Sequence, residues 1–340
     1  MKCLCCGKNI QNPGVQEQEY RWHAKCIRSF FGTSSMPQID LEPEALAELA
    51  AAGTEQGRTV AGVQKKMSIN LDRSGRRKPR MTVVDHAAGY ILKPQTDEYP
   101  HLPEAEQLVM QMADAAGIRT VPHALIWRPA ATGDREHQSE KELTGEYAYI
   151  TRRIDRTADT PAGMLAMEDF CQLSGRLTED KYKGSYEVCA KIIREHSMWA
   201  PLDMSEFYMR ILFCFITGNS DMHLKNFSLI EDAPGSRQYR LSPAYDLLPV
   251  NIVSDDDEET ALTLCGKRRR LKRPDFDSLA LSCGIDAKTA DRLIRSITDR
   301  ESVYLEMIRA SLIPDTVKER FAALVKERTE RLREKGGRAK

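Results

Sequence analysis

From Met67 to Leu71 apolar and polar residues alternate, the period of a half-buried strand, and Asp72-Arg73-Ser74-Gly75 then predicts a hairpin turn. Gly89-Tyr90-Ile91-Leu92-Lys93-Pro94 predicts an apolar strand ending in a lysine. Further strands are expected over 121–127 and 146–156, with a helix over roughly 104–117 and a polar tip over 130–142. Ahead of these, 42–52 predicts a short helix, with Pro43 in its first turn and Gly53 past its end. Beyond residue 155 the period becomes helical, over 167–177, 185–196 and 204–217, and again over most of 275–334, where Asp286 starts one helix and Ile313-Pro314 breaks another. A strand-rich half followed by a helix-rich half predicts an α+β protein with a small β-rich lobe, a large helical lobe and a cleft between them.

The most apolar helix, around 211–217, is too short to cross a membrane and predicts a buried element. It runs into Gly218-Asn219, a turn, and then Ser220-Asp221-Met222-His223-Leu224-Lys225-Asn226. A strand from 226, a turn over 231–236 and a second strand into Tyr245-Asp246 form a hairpin that returns Asp246 beside Asn226. Oxygen ligands from an Asn and an Asp suit Mg²⁺, which keeps water and phosphate oxygens for its other positions. An Asp with an Asn five residues on and a second Asp beyond is the arrangement a kinase uses for phosphoryl transfer. The plainer alternative is a polar loop whose Asn and Asp only make turns.

Two more features fit that chemistry. A strand lysine paired with a helix glutamate holds ATP phosphates in kinases, and Lys93 with Glu106 (Glu104 is the neighbouring candidate) supplies both types. Ala61-Gly62-Val63-Gln64-Lys65-Lys66 is a basic loop with one glycine. It is neither a Walker A nor a GxGxxG sequence, and by itself reads equally as an ordinary hairpin.

Composition adds limits. Lys plus Arg equals Asp plus Glu at 50 each, so net charge points to neither a nucleic-acid nor a membrane partner. The run Lys267-Arg268-Arg269-Arg270-Leu271-Lys272-Arg273 is either a solvated basic hairpin or a phosphate or nucleic-acid contact, the hairpin being the plainer reading. The first residues carry no apolar signal segment, and the nine cysteines suggest a reducing cytoplasm rather than a disulfide framework. Four cysteines crowd the N-terminus. Cys3-x2-Cys6 with Gly7, then His23-x2-Cys26, offers the four ligands of a closed structural Zn²⁺ site, with Cys5 as an alternative ligand. Free thiols and a surface histidine are the other reading. So short a stretch is expected to depend on metal for its folding. The expected domains are therefore a zinc knuckle over 1–32, a β-rich lobe over 33–155 and a helical lobe over 156–340.

In order and spacing, these motifs resemble the HipA-like serine/threonine kinases of bacterial toxin–antitoxin modules, over roughly 57–330. Residues 218–228 are similar to that family's catalytic loop, Ser242-Pro243-Ala244-Tyr245-Asp246 to its metal-binding motif, 61–66 to its phosphate loop and Ile91-Leu92-Lys93-Pro94 to its ATP-lysine strand. The resemblance implies a two-lobed protein-kinase-like fold. It implies Asp221 as catalytic base, Asn226 and Asp246 on Mg²⁺, and Lys93 and the 61–66 loop on ATP phosphates. Arg152, Arg153 and Ile154 would form the hinge beside adenine, with His223 and Tyr245 near the nucleotide. Thr59 stands where the family often autophosphorylates a serine. The resemblance further implies an antitoxin partner that can itself bind DNA, and a translation component such as an aminoacyl-tRNA synthetase as substrate. Full-length members carry about a hundred residues of β-rich subdomain ahead of the kinase core. Only the knuckle precedes it here, which implies a shortened member with a separate small subunit. Two other readings are a small-molecule kinase on the same fold and a zinc-knuckle binding protein with a kinase-like body that does not catalyse.

Overall fold

The computed structural model describes residues 1–38, 66–72, 79–82, 89–96, 98–129, 145–157, 163–254 and 257–334. The 42–52 helix, Thr59, phosphate-loop residues Ala61, Gly62, Val63, Gln64 and Lys65, the 73–75 turn, the 130–142 tip, Asp255, Asp256 and the 335–340 tail lie outside the described residues. The chain forms two compact units: Met1–Gln107 with Val121–Arg156, and Leu108–Thr120 with Thr157–Lys340.

In the first unit β1 (Met67–Asp72), β2 (Arg80–Thr82), β3 (Tyr90–Pro94), β4 (His123–Pro129) and β5 (Gly145–Arg152) make one sheet in the order β2-β1-β3-β5-β4, with every pairing antiparallel. The alternation read at Met67 and Ile69 is a burial alternation, both side chains facing the interior. β3 is central and pairs Lys93 with Tyr149 of β5, so the lysine stands over a packed sheet.

The N-terminal residues fall within this unit. Helix α1 (Val15–Tyr20) is followed by α2 (Ala24–Phe31), whose Phe30 and Phe31 meet Tyr90 of β3, and Leu125 N–H donates to Leu4 O at 3.1 Å. Buried Trp22 donates its indole N–H to Leu125 O at 2.9 Å. Its ring packs on Phe30 and Phe31, which in turn meet Tyr90. Apolar burial therefore adds to whatever a metal contributes to this segment, because the strands supply the surface that so short a stretch lacks by itself.

The second unit is mainly helical. Its longest elements are α3 (Ala200–Thr217) and the last helix (Asp315–Arg333), with Tyr186–His196, Arg273–Ser282, Ala287–Thr298 and Glu301–Arg309 around them. Asp286 caps its helix by accepting from Thr289 N–H. One expectation fails: the helix over 167–177 is instead strand β6 (Met167–Asp169) followed by a one-turn helix (Phe170–Leu173). Asp169 caps that turn through Gln172 N–H, and β6 takes the free edge of β7 (Ser228–Glu231), which also pairs with β8 (Tyr239–Leu241). Pairing with a distant strand overrides the local helical period. No helix among the described residues is long and apolar enough to cross a membrane.

Candidate active site

The catalytic-loop candidate is placed by α3. From Phe207 to Thr217 nearly every side chain is buried, and the helix ends at Gly218, whose left-handed φ of 73° a side chain would strain. A Cβ there would also sit 3.3 Å from Leu324. The loop that follows is mostly buried, with Asp221 and Lys225 its less buried side chains. Met222 and Leu224 go to the core, and Phe227 packs among Phe170, Tyr186 and Phe207.

Between these anchors Asp221 is held from several sides. Its N–H donates to Asn219 Oδ1 at 3.1 Å, and its carbonyl accepts from His223 N–H at 2.8 Å and from Asn226 Nδ2 at 2.9 Å. Asn226 makes that bond through its amide N–H, and its side-chain oxygen is of the type that ligates a hard cation. The predicted hairpin is present. Leu229 pairs with Leu241, and Ser242 N–H donates to Ser228 O at 2.9 Å, returning the chain to Tyr245 and Asp246. The Tyr245 hydroxyl lies 2.6 Å from Ser228 Oγ and donates to Lys225 O at 3.1 Å. Asp246 is half-buried with a left-handed φ of 59°, a conformation an aspartate tolerates better than most residues. An amide oxygen and a half-buried carboxylate are the ligand types that fit Mg²⁺.

His223 is buried. Burial pushes its pKa below the usual histidine range, against the opposing pull of Asp221 and of Asp246, so the ring is neutral near pH 7. Its Nδ1 has no hydrogen-bond partner among the described residues.

In the first unit Lys93 and Glu106 form an ion pair at 2.6 Å, with side chains 4% and 0% exposed. Lys93 Nζ also lies 5.3 Å from the Tyr149 ring centroid. Glu104, the other candidate, accepts from His101 instead. Arg152 ends β5, and Arg153 grips Asp155 through two bonds of 3.0 and 2.7 Å, which fixes the segment running through Ile154. Lys66 is described, without the loop before it.

The cysteine cluster closes on itself. The ligand atoms of Cys3, Cys6, His23 and Cys26 all lie within 4.8 Å of one another, and Cys5 is not among them. Cys6 Sγ and Cys26 Sγ are 3.5 and 3.8 Å from His23 Nδ1. Tetrahedral zinc sets such ligand atoms about 3.5–3.8 Å apart. His23 Nε2 lies 3.3 Å from Asn9 O, a contact that needs the proton on Nε2 and leaves Nδ1 as the ligand. Burial, then the neighbouring sulfurs, push the Cys26 thiol far up, so a thiolate here calls for a cation.

Three of the six cations of the basic run 267–273 are ion-paired: Lys267 with Asp275, Arg269 with Glu258, and Arg273 with Asp277 and Asp291. Two structural features had no signal in the sequence. Tyr182 donates to Asp221 Oδ1 at 2.6 Å, and Lys225 pairs with Asp169 at 2.8 Å. A tyrosine in a polar turn carries no motif.

The family model of the HipA-like C-terminal domain matches residues 58–303. A candidate kinase of Sinorhizobium fredii, Y4dM, is 33% identical over 249 residues, covering 72% of this chain and 57% of its own length. A candidate kinase of Haemophilus influenzae is 29% identical over 220 residues, covering 62% of this chain and 58% of its own. The chain thus spans under two thirds of the length of these relatives. Among solved structures, that of the Shewanella oneidensis HipA, HipB and operator DNA complex matches with a TM-score of 0.63 at 18% identity, over 84% of this chain and 70% of that one. At that identity the likeness is one of fold.

Proposed function

The chain belongs to the HipA-like C-terminal domain family, and on that premise we propose that it is an ATP- and Mg²⁺-dependent serine/threonine protein kinase. Kinase chemistry is the family-level assignment its named relatives carry. The observation that carries the finer reading is the loop that pins the Asp221 backbone while leaving its carboxylate 39% exposed, with Asn226 and Asp246 joined by one hairpin. In this reading Asp221 accepts the proton of a serine or threonine hydroxyl as that oxygen bonds to the γ-phosphorus and ADP departs. Lys93, oriented by Glu106, holds phosphate oxygens; Asn226 and Asp246 hold Mg²⁺, which neutralises phosphate charge when bound. The 61–66 loop, the 152–154 segment, His223 and Tyr245 complete the nucleotide site, and Thr59 is the autophosphorylation candidate. Cys3, Cys6, His23 and Cys26 hold a structural Zn²⁺.

The same reading makes the chain a toxin restrained by an antitoxin. The Shewanella complex, which contains HipB and operator DNA, supports a partner of that kind. A translation component, with an aminoacyl-tRNA synthetase first, is the proposed substrate, and a separate small subunit a further partner. Purified protein incubated with γ-labelled ATP and Mg²⁺ is expected to label itself or a lysate protein. Asp221→Ala should lower transfer about 10²–10⁴-fold. Absence of label with the wild-type protein would sink the kinase reading.

A further inference from the structure

The backbone of Asp221 is fixed by its own loop, but its carboxylate is held from elsewhere. Tyr182 donates its phenol O–H to Oδ1 at 2.6 Å. Tyr182 follows the short 3-10 turn Thr178–Asp180, and its own position is tied on both sides. Lys181 O accepts from Leu224 N–H at 3.1 Å, and Tyr182 O accepts from Arg268 Nη2 at 2.6 Å. The ring stands edge-on to His223 at 5.0 Å, with Lys181 Nζ 4.9 Å from its centroid. A phenol with its backbone anchored at two successive carbonyls and its ring packed on a buried imidazole is a fixed donor, not a loose one. Arg268 comes from the basic run, so one cation of that run has a defined place beside the loop.

We propose that Tyr182 is a positioning residue for the phosphoacceptor step. This rests on the kinase reading and deepens it. The terminal torsion of an aspartate is broad, and a half-exposed carboxylate held at neither oxygen samples many orientations. A base must lie within about 2.6–3.2 Å of the proton it takes. With Oδ1 occupied by Tyr182, rotation stops and Oδ2 is the oxygen presented to the acceptor hydroxyl. A rival role, in which the phenol stands in for the acceptor and blocks it, predicts an effect of opposite sign.

The test is Tyr182→Phe, which keeps the ring and removes only the donor. With saturating ATP, kcat should fall about tenfold or more. The KM for ATP should stay within about twofold, since uniform nucleotide binding is untouched. In an Asp221→Asn background the same change should cost nothing further, because both act through one carboxylate. Equal losses in both backgrounds, or a kcat at or above wild type, overturn the proposal and leave the kinase reading standing. Wild-type protein that transfers no phosphate removes both. Should Tyr182→Phe lower the Tm, Arg268→Met, which releases only the carbonyl tie, is the second variant. A several-fold fall in kcat is expected from it, and an unchanged kcat counts against the proposal.

Discussion

The two units handle their reactive groups in opposite ways. In the first, each such group is turned onto another: four ligand atoms converge within 4.8 Å, and Lys93 and Glu106 meet in the interior at 2.6 Å. In the second, Asp221 and Asp246 sit half-exposed on a backbone locked from below by Met222, Leu224 and Phe227. A closed donor set holds an ion for structure, whereas an open one on a rigid support can meet a substrate. Disturbing the first unit should therefore cost stability, at Lys93 and Glu106 together with nucleotide binding, and disturbing the loop should cost activity alone.

The largest stability effect is expected at Glu106. Glu106→Gln leaves Lys93 buried without its carboxylate, and breaking a buried pair typically costs about 3–5 kcal/mol. Denaturant unfolding measures this, and a loss under about 1 kcal/mol would break the contrast. Next comes the knuckle. An ion bound at about a hundred times its Kd stabilises by about 2.7 kcal/mol. Chelation or Cys26→Ser should remove that much, release about one Zn per chain and red-shift the fluorescence of buried Trp22. Purified protein holding far less than one Zn per chain would refute the metal.

The smallest effect belongs to the loop and to pH. His223 is depressed by burial, so the unfolded chain binds its proton more readily than the folded one. Stability should be level above the ordinary histidine pKa of about 6.5 and fall as pH drops from there toward the lower folded value. His223→Gln should flatten that slope, and an unflattened slope would assign it to other groups.

Much of this was legible along the chain, because the signals were local. The strand at Tyr90–Pro94, the helix ending at Gly218, the turn before Tyr239 and the four N-terminal ligands each sit within a few residues of the pattern that predicts them. The helix expected over 167–177 failed for the converse reason: Met167–Asp169 pairs with β7, some sixty residues on. The knuckle was expected to depend on metal alone, yet Trp22, Phe30 and Phe31 bury themselves against a strand the sequence does not place beside them.

By itself the sequence determined the order of the elements, the residue types of the proposed phosphoryl-transfer loop, and a zinc-type ligand spacing. Periodicity and ligand chemistry act over short separations of chain. Only the tertiary structure decided that Glu106 rather than Glu104 meets Lys93, that Cys5 stands outside the ligand set, and that Tyr182 grips Asp221 from 39 residues away. Those choices depend on which way a side chain points once distant segments pack, and a hydrogen bond across such a separation leaves no period in the sequence to read.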